Sequence, residues 1–147
     1  MNIKYKKLDY NTEDLESLSS GDLKKLADHW LRVYLLSKQE STYYFCPLKK
    51  KSYSADNMHV AHYIDRGILN TRFDLINCHL VYGYSNTFDA QVQVEGYKSL
   101  HHKEYEEFII DEYGEEAFED LKSRGKELKM FTKKDYINYI NKYRNNE

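Results

Sequence analysis

Three short stretches hold most of the side chains able to move a proton or grip an anion: Met58-His-Val-Ala-His-Tyr-Ile-Asp-Arg66, Thr71-Arg-Phe-Asp-Leu-Ile-Asn-Cys-His79 and Tyr84-Ser-Asn86. A neutral imidazole can take a proton from water near neutral pH. A hard divalent ion stabilises the charge that builds on a phosphate and on its departing oxygen. An asparagine carbonyl can ligate such an ion, or it can hold the loop that carries the histidine. Two histidines three apart, His59 and His62, then a strand and asparagines after a turn, suit a one-metal phosphodiester site. The plain alternatives stay open at this point. His62 alone reads as a hydrogen-bonded strand histidine, His59 as a surface residue, and Asn77 and Asn86 as turn and cap residues.

The flanking sequence must position these groups. Leu23, Leu26, Ala27, Trp30, Leu31, Tyr34 and Leu35 recur at helical spacing, which predicts a helix from about Asp22 to Lys38. Ser19 with Asp22 resembles a capping box, and Lys24, Lys25, Asp28 and Arg32 occupy the polar face, with His29 beside them. Thr42 to Phe45 predicts a short strand ending at Cys46-Pro47, and Lys49 to Asn57 a polar loop. Met58 to Ile64 alternates well enough for a strand with one solvent face. Phe73, Leu75 and Ile76 look buried, and Gly83 with Asn86 suggests a turn into a helix. Tyr105, Phe108, Ile109 and Tyr113 share a helical face that stops at Gly114, and Ala117, Phe118 and Leu121 suggest a short helix after it. Thr132 with Asp135 repeats the capping pattern before a last helix with Tyr136, Ile137, Ile140 and Tyr143. His101 and His102 read as loop residues.

The chain of 147 residues, with one proline, six glycines and no internal repeat, reads as one α+β domain. Residues 1–40 form an N-terminal helical segment, 41–95 a small β-containing core and 96–147 C-terminal helices. No stretch approaches the roughly 18 apolar residues of a membrane span, and the first residues lack the apolar core of a signal peptide. The expectation is a soluble, cytoplasmic protein with no membrane partner. Cys46 and Cys78 are too few for a disulfide framework, which fits a reducing compartment.

Lysines and arginines number 22 against 24 acids, a net charge of -2. The distribution is less even than the sum. Residues 49–72 carry five bases and two acids, Glu104 to Asp120 carries nine acids and no base, and from Lys122 onward eight bases face three acids. An acidic protein can therefore still present a local basic face to a phosphate backbone. Lys49, Lys50 and Lys51 are candidate DNA contacts within the first of these segments.

Ala61-His62-Tyr63-Ile64-Asp65-Arg66, then Thr71-Arg72-Phe73-Asp74 and Asn77-Cys78-His79, resembles the phage recombination proteins of the NinG type. Those proteins resemble the HNH, or His-Me finger, endonucleases built on a ββα-metal motif. The resemblance is densest from His59 to Asn86 and extends to Tyr105 and Gly114-Glu-Glu116. It implies a small ββα-metal centre flanked by helices, and metal-dependent cleavage of branched or recombining DNA. By position, His62 matches the general base and Asn77 the asparagine bracing the loop behind it. Asn86 matches a metal ligand at the start of the helix, and His59 stands where a subgroup places its second ligand. Arg66 and Arg72 are expected at the surface as phosphate contacts, with Asp74 pairing one of them. The implied cofactor is Mg²⁺ or Mn²⁺.

The zinc-holding cysteines of that family fall here at Cys46, Lys49, Tyr82 and Ser85, and only the first is a thiol. No structural zinc is expected, and aromatic packing among Tyr43, Tyr44, Phe45, Tyr82 and Tyr84 is expected instead. Two further readings stand beside the nuclease. One is a DNA-binding module of the same fold with its chemistry lost. The other is a phage accessory protein, in an infected bacterial cell, whose acidic segment Glu104 to Asp120 binds a host protein. Oligomeric state, the preferred DNA structure and the choice of metal leave no mark in the sequence.

Overall fold

The computed structural model describes residues 7–39, 43–83 and 100–146. Helix α1 spans Ser20–Ser37 and begins where Ser19 Oγ accepts the Asp22 amide at 3.2 Å. Of the stripe the spacing predicts, Leu23, Leu26, Ala27 and Leu31 are closed to solvent, and Trp30, Tyr34 and Leu35 are half-buried. Each leucine so buried contributes about 2 kcal/mol of transfer free energy. Helix α5, Lys133–Arg144, packs against α1 and opens with a complete capping box. Thr132 Oγ1 accepts the Asp135 amide, and the Asp135 carboxylate accepts the Thr132 amide at 2.7 Å.

Between these helices the chain makes two antiparallel hairpins. Strand β1, Tyr43–Cys46, pairs with β2, Lys51–Ser54, through a turn in which Lys50 takes a positive φ of 56°. The polar loop expected from Lys49 to Asn57 therefore contains a strand and, at Ala55–Asn57, a single 3-10 turn. A half-exposed four-residue strand of lysine, serine and tyrosine gives little periodic signal, so pairing decides its conformation. Strand β3, Met58–His62, pairs with β4, Cys78–Tyr82, so that His62 lies opposite Cys78 and Ala61 opposite His79. The intervening stretch holds one helical turn, α2, Leu69–Arg72.

Helix α3, Leu100–Tyr113, and helix α4, Glu115–Gly125, are separated by Gly114. That residue takes φ 93°, a conformation glycine adopts without steric cost, and its amide closes on Ile110 O. His101 and His102 stand in the first turn of α3 rather than in a loop, and the His102 ring stacks on Tyr63 at 4.5 Å.

Two apolar clusters meet at the β3–β4 ribbon. One joins α1 and α5 with Phe73 and Cys78. The other joins Cys46, Met58, Ala61 and Val81 with Tyr105, Ile109, Phe118 and Leu121. Val60 packs against both, so the ribbon is the layer shared by the two helical pairs. Phe73 is fully buried as expected, while Leu75 and Ile76 are half-buried. Among the described residues no helix is long and apolar enough to cross a membrane.

The aromatic packing expected in place of the zinc cysteines forms in part, with Tyr44 and Tyr82 against the core. Tyr82 stacks on Tyr53, with ring centroids 4.2 Å apart and planes within 11°. Tyr43 and Phe45 are instead exposed, and Phe45 lines a cleft with Leu35 of α1, Leu80 of β4 and Phe108 of α3. Tyr84 and Ser85 lie outside the described residues. Cys46 is buried and its Sγ accepts the Lys49 amide at 3.4 Å. Protein dialysed against buffer is expected to hold less than about 0.1 zinc per chain, since one thiolate cannot make a tetrahedral site. Elemental analysis finding one zinc per chain would contradict this.

Candidate active site

The local structure around His62 follows from what its loop must satisfy. His62 ends β3, and the chain then runs through residues 63–77 before returning as β4. Asn77 closes this loop from inside. Its side chain is fully buried: Oδ1 accepts the Ile64 amide at 2.7 Å, and Nδ2 donates to Ile64 O at 3.2 Å and Thr71 O at 3.0 Å. Its own carbonyl accepts the Tyr63 amide at 3.0 Å. One amide side chain thus satisfies three backbone groups that the loop would otherwise bury unpaired. The bracing position implied for Asn77 coincides with this geometry.

Half-buried His62 lies with its Nε2 2.9 Å from the Arg72 carbonyl. A carbonyl only accepts, so Nε2 carries the proton and Nδ1 keeps the lone pair. Cys78 Sγ donates to the same carbonyl at 3.0 Å. Burial of Cys78 pushes its thiol pKa well up, so the sulfur keeps its proton. Burial also holds the His62 pKa below 6.5, opposed by its bond to Arg72 O and reinforced by the Arg72 charge. The imidazole is therefore neutral at neutral pH, with Nδ1 as its proton acceptor.

Arg72 is a correction to the sequence reading. It is 8% exposed, not a surface side chain, and its Nε and Nη2 grip the Asp28 carboxylate of α1 at 2.9 and 2.7 Å. Nη1 donates to Arg66 O at 2.7 Å. A charge this deeply buried must be paired, and the fork geometry of a guanidinium matches a carboxylate. Asp74, expected as the partner of Arg66 or Arg72, pairs with Arg124 of α4 instead. Asp28 thus anchors to α1 the residue whose carbonyl orients His62.

These groups line a cleft of about 420 Å³ bounded by α1 and β3. His59, His62, Arg66 and Arg72 all face it, together with Asp28, Arg32 and Asp56. Arg66 is exposed there, and among the described residues no carboxylate pairs with it. His59 is exposed, and its ring lies against Gly83: a Cβ at that position would sit 2.7 Å from His59 Nε2. Strict alternation would put His59 and His62 on opposite faces of β3, yet both line the cleft. Asn86 lies outside the described residues.

Asp28 and Arg32 carried no functional reading in the sequence. They stand one turn apart on the face of α1 taken as solvated, and with Leu31 they form the wall of the cleft. Arg32 donates to Met58 O at 2.6 Å and Ala55 O at 3.0 Å, tying α1 to the turn that precedes β3. The lysine turn is not brought to this cleft. Lys50 lines a separate one of about 510 Å³, facing Glu104, Glu107 and Asp111 of α3. Lys49 and Lys51 are exposed on the same β1–β2 turn.

No protein-family model matches the chain, and neither the curated proteins nor the solved structures yield a match. The donor set therefore has to be judged on its own chemistry. Among the described residues no three His, Cys, Asp or Glu side chains group as a closed metal site. A hydrated Mg²⁺ or Mn²⁺ needs only one or two protein ligands, the rest being water or phosphate oxygens. His59 and Asp56 both line the cleft and are exposed there.

His79 has a structural role. Tyr113 Oη donates to its Nε2 at 2.9 Å, and its Nδ1 lies 2.8 Å from Tyr105 Oη, which reaches Asn77 O at 3.1 Å and Ala61 O at 3.2 Å. The relay anchors α3 to both ends of the His62 loop. Burial lowers the His79 pKa from 6.5 to about 4, so the folded state binds fewer protons than the unfolded one as pH falls. Its contribution to stability is complete above pH 6.5 and is lost progressively as pH drops to about 4, amounting to about 3 kcal/mol. Urea titrations of His79→Gln are expected to show a smaller loss than the parent across that window. Equal slopes would contradict it, since the smaller downward shifts of His29 and His62 are common to both proteins.

Proposed function

We propose that the protein is a metal-dependent DNA endonuclease of the HNH type, hydrolysing phosphodiester bonds in branched or recombining DNA. One observation carries the reading: a neutral histidine at the end of a strand, with Nε2 committed to a loop carbonyl and Nδ1 left as acceptor, in a cleft beside Arg66, which pairs with no carboxylate among the described residues. The resemblance of residues 59–86 to NinG-type proteins points the same way.

In this reading water is deprotonated by His62 Nδ1 as its oxygen attacks phosphorus, and the bond to the leaving oxygen breaks. The Arg72 carbonyl holds the ring and accepts a stronger hydrogen bond as the imidazolium forms. Arg66 pairs the phosphate from the exposed side of the cleft. His59, with Asn86 as the resemblance implies and Asp56 as a further oxygen donor, would hold the divalent ion. When bound, that ion supplies charge stabilisation for the pentacovalent phosphorus and the departing oxygen.

The test incubates the full chain with a four-way junction and with linear duplex, in Mg²⁺, in Mn²⁺ and in EDTA. Strand scission in either metal and none in EDTA is the expected result. Binding without scission under every condition would leave a DNA-binding module in its place.

A further inference from the structure

Resting on the DNA-cleaving reading, we propose that the connector between α4 and α5, residues 126–132, is a second DNA contact. Here Leu128 and Met130 wedge against unstacked bases at the branch point. From Glu127 the connector has no regular structure. Glu127, Lys129 and Phe131 line a cleft against α5, and Phe131 packs on the α1–α5 core. Leu128 and Met130 point the other way, the first fully exposed and the second 85% exposed. Two large apolar side chains this exposed, two positions apart, are unlike the other exposed apolar residues among the described ones, which are at most 60% exposed.

Charge decides the partner. Lys126 and Lys142 make no ion pair among the described residues, and Lys129 lies 3.9 Å from an Asp135 carboxylate already occupied by its cap. From Lys122 onward eight bases face three acids, so this end of the chain is its basic one and suits a phosphate backbone. Apolar wedges flanked by lysines recognise duplexes that can be unstacked, and unstacking costs least where bases already lack neighbours. The connector is also coupled to the catalytic loop. Asn70 of α2 donates to Glu127 O at 2.7 Å and Arg124 O at 3.3 Å, so the connector is fixed to the loop that presents Arg66.

The experiment uses the full chain in EDTA, a four-way junction with 2-aminopurine beside the branch, and a linear duplex of the same sequence. The parent is expected to raise 2-aminopurine fluorescence and prefer the junction. Leu128→Ser/Met130→Ser should lose the fluorescence change and roughly tenfold of junction affinity, about one base-stacking contact, with linear-duplex affinity within about twofold. Both side chains lie outside the core, so a circular dichroism spectrum matching the parent's is expected. A parent that binds the junction and a double variant that binds it equally overturn the wedge and leave the nuclease reading standing. A parent that binds neither DNA overturns the nuclease reading itself. Parent binding to phosphatidylserine-containing vesicles that the double variant loses, without the fluorescence change, overturns the wedge in favour of a lipid surface.

Discussion

His62→Ala is expected to fold, to bind DNA within about threefold of the parent, and to cleave it roughly 10²–10⁴-fold more slowly, the range for a positioned acid-base group. The fold survives because the carbonyl the ring occupies is not orphaned: Cys78 Sγ still donates to Arg72 O. The loss in stability should stay near 1 kcal/mol, one ordinary hydrogen bond. Single-turnover cleavage of a junction measures the rate, and two further readouts separate a base from a structural residue. The parent's rate should rise with pH on an acid limb that lies below 6.5, because burial lowers the His62 pKa, and be flat by neutral pH. That limb should vanish in the variant, and added imidazole should restore part of the rate. A variant that cuts as fast as the parent, or whose pH profile is unchanged, removes His62 from the reaction.

The elements that hold this site were largely legible, because they follow from periodicity and capping. The stripe Leu23, Leu26, Ala27, Leu31 and the Thr132–Asp135 box are local patterns, and local patterns survive folding intact. What escaped the sequence is what depends on partners far along the chain. Periodicity marks the polar face of α1 but cannot say what that face meets, so Asp28 looked solvated although it meets Arg72 across 44 positions. The burial of Arg72 follows from that pairing and from nothing near it in sequence. His79 gave no sign that Tyr105 and Tyr113 would supply both its hydrogen bonds.

The two pairings have one consequence for the chemistry. Asp28 fixes the guanidinium of Arg72, Nη1 of that guanidinium fixes Arg66 O, and the Arg72 carbonyl fixes the tautomer of His62. Three residues implied as independent site residues are thus linked, two of them through their main-chain carbonyls, with α1 as the anchor. Their effects on activity should be strongly non-additive.

Asn77→Ala is expected to cost about 3–5 kcal/mol and to abolish cleavage with it. The argument is a count of what the amide leaves behind. Its removal strips the Ile64 amide, Ile64 O and Thr71 O of their partner in a place with no solvent access, and each unsatisfied buried group costs about 1–3 kcal/mol. Relaxation of the loop recovers part of that sum. Asn77→Asp is the sharper comparison, since its carboxylate can still accept from Ile64 N but cannot donate to Ile64 O or Thr71 O, and it sets a charge beside two carbonyls. It should be at least as destabilised at neutral pH as the alanine variant, and it should recover stability as acid protonates the carboxyl. Urea denaturation of the free proteins measures both. If Asn77→Ala lost less than about 1 kcal/mol, the loop would owe its shape to something other than this side chain. The orientation of His62 would then need another support.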